Sequence, residues 1–368
     1  MNEQRRSGRQ ARQAERAQKG GGMGRPYITR NIPTYDVLSE ENLLRIEAAA
    51  DRVLAETGIE FRDDPVALEH WKKAGASVDG VLVKFEPGML REILKSAPRE
   101  FTQHARNPAN SVQIGGKNVV FAPAYGCPFV MDLDKGRRFG TLEDFRNFIM
   151  LAQSSPNFHH SGGTICEPTD IPVNKRHLDM VLAHMELSDR CFMGSVTATE
   201  RSEDSIEMCR LLFGNEFVDR NCVILGNVNV NSPLVWDGTM TGSLRAYARA
   251  NQAAVVVPFI LGGAMGPVTS AGGIVQSLAE TMAGCALTQL ERKGAPVIFG
   301  NFLSTMSLRS GSPTFGTPEP AIGSMVIGQL ARRLGLPLRC SGNFTNSKLP
   351  DAQAMTIVFS LTARCPTR

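Results

Sequence analysis

The sequence predicts an α/β protein built as a TIM (β/α)8-type barrel that lacks its last unit, with an α+β extension ahead of it. Three observations carry this expectation. From about residue 118 onward the chain offers seven short apolar runs rich in β-branched residues, at 118–122, 160–165, 191–196, 222–228, 255–261, 297–302 and 338–341. Each run is followed by a segment of helical period, and the runs recur roughly every 30 to 40 residues, the repeat of a βα unit. No break in strand order interrupts the series, which favours a barrel over a doubly wound sheet.

The elements follow in order. Residues 1–30 hold eight Lys or Arg against Glu3 and Glu15, so this tail is +6 while the rest of the +4 chain is −2. It is almost free of large apolar residues and cannot bury enough surface to fold alone, so a solvated arm is expected, not a nucleic-acid or membrane contact. It has no apolar core of a secretory signal. The extension, residues 31–115, opens with Ser39 as N-cap of a helix to about Thr57, with Glu40 and Glu41 where the dipole favours anions. Shorter helices are expected at 65–73 and 87–95, and a strand at 80–85. At 129–140 a hairpin turns on Asp134, Lys135 and Gly136.

The barrel, residues 116–354, takes helices at 141–153 (capped by Thr141), 174–187, 200–213, 243–251, 273–293 and 320–334. The eighth unit is missing. Residues 355–368, MTIVFSLTARCPTR, show no amphipathic helical period and read as an aberrant end, so truncation after about Ala354 is expected, with an open and self-associating barrel edge.

Composition narrows the function. The chain has 368 residues, 42% hydrophobic and 21% charged, an ordinary globular balance with no apolar run long enough to span a membrane. Eight cysteines are scattered without a CxxC pair, which argues against a disulfide framework or a zinc ribbon and suits a reducing cytoplasm. There is no HExxH, no Ser-His-Asp order and no strand-end carboxylate pair for hydrolysis. A zinc site from His159, His160, Cys166 and Cys191 is conceivable, but buried cysteines more often serve as small apolar residues.

In a barrel of this kind, function sits where strands run into the following loops. There the sequence places Tyr125, the alternating amides Asn227, Asn229 and Asn231, and the turn at Gly262 and Gly263. It also places Glu319 at the start of a helix, and the polar segment 341–354. The amides share one strand face and could fix a polar ligand or form an internal network. The Gly262–Gly273 loop, GGAMGPVTSAGG, could seat a carboxylate on backbone N–H groups or serve close packing; it fits neither a Walker pattern nor GxGxxG. Glu319 could orient a substrate or serve its helix N-terminus.

Several stretches, in order, resemble the trimethylamine methyltransferase family: ETGIEF at 56–61, the hairpin with its following Thr141 helix, NSPL at 231–234, GGAMGPVTSAGG at 262–273, GSPTFGTPEP at 311–320 and SGNFTNSKLPDAQA at 341–354. The resemblance covers about residues 35–354. It implies a TIM barrel that moves a methyl group from a methylated amine to the cobalt of a separate corrinoid protein. The cobalamin travels with that partner, so no cofactor or metal is expected on this chain, and a homo-oligomer is expected. Phe344 stands where archaeal members carry the electrophilic residue pyrrolysine. A phenyl ring cannot capture a neutral amine, but its face suits a quaternary ammonium. The resemblance therefore implies glycine betaine or a related quaternary amine as donor, with Phe344, Asn343 and Glu319 nearest the chemistry. Tyr125, Asn229, Asn231, Phe259, Gly263, Lys348, Asp351 and Gln353 would bind substrate. The alternative is a truncated, non-catalytic relative.

Overall fold

The computed structural model describes residues 28–341, 345–347 and 351–355. Most of the basic tail, Asn343, Phe344, Lys348 and the run after Met355 lie outside these residues.

Five parallel strands, Phe192–Gly194, Ile224–Val230, Ala253–Gly262, Val297–Thr305 and Leu338–Cys340, stand side by side in chain order. The wall continues past its first strand through hydrogen bonds without a full ladder. His160 bridges Cys191, Ser161 N–H donates to the Cys191 carbonyl at 2.9 Å, and Met193 N–H donates to the Gly162 carbonyl at 2.9 Å. The N–H groups of His159 and His160 both reach the Phe121 carbonyl, at 2.9 and 3.2 Å.

Two expectations are corrected here. The sequence predicts seven barrel strands; five form, and among the described residues no ladder closes the sheet into a barrel. The run at 160–165 is limited to its bridge. The run at 118–122 shrinks to Asn118–Val119, which pairs antiparallel with Ile28–Thr29. Its outer edge, expected to be bare, is covered by the start of the described chain. Local pattern reports strand propensity but not the identity or direction of the partner.

Helices Leu142–Ser154, Arg176–Leu187, Thr199–Phe213, Gly238–Arg249, Ser270–Glu291 and Pro318–Leu334 lie between these segments in the chain. Strand alternation splits the apolar residues between two cores. Ala254, Val256, Ile260, Val297 and Phe299 pack outward with residues of the Ser270–Glu291 helix, including Leu278, Met282 and Leu287. Leu225, Ala253, Val255, Val257 and Ile298 face inward, where the hairpin Glu100–Gln103/Val112–Gly115 supplies Val112 and Ile114. Gln103, fully buried, donates its amide to the carbonyls of Phe192 and Val223 at 3.0 and 3.3 Å and so pins this hairpin under the wall.

The extension is tied to the main sheet rather than hanging from it. Its strands Ile59–Phe61, Leu82–Lys84 and Ser77–Asp79 gain a fourth, Val235–Trp236, from the loop after the second wall strand. Phe61 meets Trp71 at a tilt and Phe85 meets it edge-on, at centroid distances of 5.5 and 4.9 Å, and all three belong to the same core as Trp236 and Met282. A Cβ at Gly284 would lie 2.4 Å from the Trp236 ring, so the long helix needs a glycine where that indole crosses it. No helix among the described residues is long and apolar enough to cross a membrane.

Candidate functional site

The inner face of the wall changes character toward its C-terminal end. Above Leu225 on the same strand face come Asn227, half-buried, and Asn229, exposed. Above Val257 comes Phe259, 37% exposed, and its register partner on the next strand is Phe302. The two rings stack at 4.9 Å with 21° between planes, and Phe315, from the loop after that strand, meets Phe302 edge-on at 5.9 Å. Tyr125 packs against the inner core and donates its hydroxyl to Asn227 Oδ1 at 3.3 Å. Over the other part of its ring lies the Arg339 guanidinium, 4.9 Å from the centroid. Aromatic rings, two amides and one arginine thus share the inner face of the wall toward its C-terminal end.

The structure brings Tyr125, Asn229 and Phe259 to this face and disposes of other candidates differently. Asn231 uses both ends of its amide on Asp237, donating to Oδ2 at 2.9 Å and accepting its N–H at 3.2 Å, so it braces the N-cap of the next helix. Gly263 (φ +92°) forms a tight turn: its N–H donates to the Gly266 carbonyl at 3.0 Å, and those of Ala264 and Met265 donate to Leu261. These N–H groups are spent within the turn, which weakens the carboxylate-seat reading of the loop. Glu319, exposed in the first turn of its helix, lines a shallow pocket with Gly262, Thr269, Ser304 and Thr305. A hydrogen bond from Thr317 lowers its carboxyl below the ordinary range. Asp351 caps the helical residues 352–355 by accepting the Ala354 N–H at 2.8 Å, and Gln353 is exposed among them. Sequence reasoning passed over Phe302, Phe315 and Arg339 as site residues. The signal that could have found Phe302 and Arg339 is strand register, since Phe302 pairs Phe259 and Arg339 pairs Gly300.

Burial shifts the acid–base groups near the wall toward their neutral forms. Burial pushes His160 down to about 3 and His184 down to about 4. His160 Nδ1 accepts the Gly162 N–H at 3.0 Å, and His184 sits between Ser161 Oγ at 2.9 Å and the Gly163 carbonyl at 3.1 Å. Burial also raises the thiols of Cys166 and Cys222 to about 12, so both are protonated at neutral pH in the metal-free chain. No group of three His, Cys, Asp or Glu among the described residues could hold a metal ion. Glu280, fully buried, has its carboxyl raised by desolvation and accepts from Ser232 Oγ at 2.6 Å and Leu234 N–H at 2.7 Å. It fixes the loop beyond the asparagine strand.

These histidines have a measurable consequence. Unfolded, each titrates near about 6.5; folded, each binds a proton only at much lower pH. The unfolded chain therefore holds more protons between those values, so stability is full above about 6.5 and is lost as pH falls toward about 4. The melting temperature should drop steadily from pH 7 to 5, and His184→Gln should make that slope shallower. An unchanged melting temperature across this range would contradict the burial of both rings.

The chain is similar to known proteins along most of its length. The family model described as trimethylamine methyltransferase matches residues 5–362. The chain is 43% identical over 324 residues to a glycine betaine methyltransferase of Desulfitobacterium hafniense strain Y51, covering 88% of this chain and 67% of that protein. It is 27% identical over 343 residues to a proline betaine:corrinoid methyltransferase of Eubacterium limosum, covering 89% and 69%. It is 25% identical over 329 residues to a trimethylamine methyltransferase of Methanosarcina barkeri strain Fusaro, covering 87% and 66%. The chain thus spans about two thirds of the length of the curated relatives it matches. Among solved structures, the monomethylamine methyltransferase of Methanosarcina barkeri aligns with a TM-score of 0.46 at 11% identity, over 91% of this chain and 83% of that one. With a family match across nearly its whole length and a relative at 43% identity, the chain belongs to the trimethylamine methyltransferase family.

Proposed function

We propose that this chain takes a methyl group from a quaternary ammonium compound such as glycine betaine and delivers it to the reduced corrinoid of a partner protein. The observation that carries this reading is the aromatic group Phe259, Phe302 and Phe315 at the C-terminal mouth of the wall, where ring faces can hold a cation without a neutralising carboxylate. The identity with a glycine betaine methyltransferase supports it. So does Phe344, which the sequence places in the segment following the last wall strand.

The chemistry asks little of acids or bases. A quaternary nitrogen departs as a neutral tertiary amine: the N–CH3 bond breaks, its electron pair stays on nitrogen, and no proton need be supplied. A neutral amine would have to leave as an amide anion unless first protonated or captured. The chain's own task is then to hold the donor with one methyl carbon presented outward and to keep water from the cation. The partner's Co(I) corrinoid supplies the nucleophile. The corrinoid is the methyl acceptor and arrives with the partner, so no residue of this chain is asked to retain it.

Titration calorimetry with glycine betaine tests the aromatic cage. Phe259→Ala should weaken binding by about 0.5–2 kcal/mol, and Phe344→Ala by a similar amount, while Phe344→Tyr should be mild. Betaine affinity indifferent to both alanine substitutions would sink the cage.

A further inference from the structure

We infer that Arg339 is the carboxylate receptor of this site, so that the ligand it selects is a zwitterion with a quaternary ammonium and a carboxylate joined by a short linker. The inference rests on the methyl-donor reading above and deepens it. Arg339 sits in the last wall strand, in register with Gly300. Neighbours in register point to the same side of a sheet, and Gly300 shares its face with Ile298 and Phe302, so Arg339 projects inward beside the aromatic group. Gly300 itself contributes no side chain there, and Val257 takes the space, 2.4 Å from where a Cβ would lie.

Several other arginines find anionic or carbonyl partners within the chain. Arg245 holds Asp64, Arg333 holds Glu40 and Glu47, Arg138 holds Asp144, and Arg190 donates to four backbone carbonyls. Arg339 is half-buried too, yet among the described residues no carboxylate or carbonyl accepts from it; its contact is the Tyr125 ring face. A contact made through the ring face does not use the guanidinium N–H groups, the side that grips a carboxylate through two parallel hydrogen bonds. Tyr125 is itself held by Asn227, so the guanidinium rests on a fixed surface.

The arrangement also selects against the wrong ligand. Two residues along a strand span roughly 7 Å, which sets the scale of separation between the Arg339 row and Phe302. A bare methylammonium bound at the rings would feel the arginine as an unrelieved like charge, whereas a betaine brings its own anion to meet it.

The test uses the full chain and calorimetry with three probes: glycine betaine, its methyl ester and choline. On the unaltered chain betaine should bind roughly tenfold or more tightly than the ester or choline, the two probes that lack the anion. Arg339→Gln should remove that preference by weakening betaine while leaving choline as tight or tighter, and Arg339→Lys should restore part of it. Ester and betaine binding equally to the unaltered chain would overturn the proposal even if the variants do not fold. So would an unchanged preference in folded Arg339→Gln. Failure of all three probes to bind the unaltered chain would instead overturn the methyl-donor reading, and this inference with it.

Discussion

Asp64→Ala is expected to destabilise the chain by about 3–5 kcal/mol, the cost of stranding a buried charge. Asp64 is 4% exposed and does two jobs. One carboxylate oxygen accepts the N–H groups of Val66 and Ala67 at 3.1 and 3.0 Å, capping the helix Pro65–Ala74. Both oxygens receive Arg245, at 3.0 and 3.1 Å, in a two-point pairing. Arg245 lies in the helix that follows the asparagine strand, so this pair fastens the extension to the wall. Removal leaves Arg245 with only Glu291, 3.8 Å away, as an anionic partner. The melting temperature should fall by roughly 5–10 °C, given about 2 °C or more per kcal/mol in large domains. Arg245→Lys should cost less, since a point charge keeps the ion pair but not the fork. A loss for Asp64→Ala within about 1 kcal/mol, the scale of a cap alone, would show that the pair carries no weight.

Much of the fold was legible because its signals are local. Thr141 and Asp144 announce a helix start, and the structure completes the reciprocal cap there, each side chain meeting the other's backbone N–H. The hairpin at 129–140 forms as Phe129–Asp132 with Gly136–Phe139. Other boundaries depend on neighbours the sequence does not display. The helix expected from Ser243 begins at Gly238, capped by Asp237. Its early glycines hide it, and they are there because a Cβ at Gly238 would lie 2.4 Å from the Asp63 carbonyl oxygen and one at Gly242 2.0 Å from Thr199 Oγ1. The hairpin of Glu100–Gln103 and Val112–Gly115 escaped because its strands carry polar residues such as Gln103, whose burial is explained only by the carbonyls it meets. The site followed the same division. Tyr125 stands out as an aromatic at a strand end and Phe259 enters through the family resemblance, while Arg339 in a three-residue strand looks like any surface arginine until the register with Gly300 turns it inward.

The reading of this chain as a methyl-transfer protein for quaternary amines is tested most directly by following products. The chain is incubated with glycine betaine and a corrinoid protein reduced to Co(I), and dimethylglycine is quantified against methyl accepted; a parallel reaction with trimethylamine is assayed for dimethylamine. Dimethylglycine should form one for one with methyl accepted, and dimethylamine should form at least roughly tenfold more slowly, because trimethylamine presents no permanent cation to the aromatic mouth. Dimethylamine forming as fast as dimethylglycine, or no dimethylglycine at all, would contradict the account.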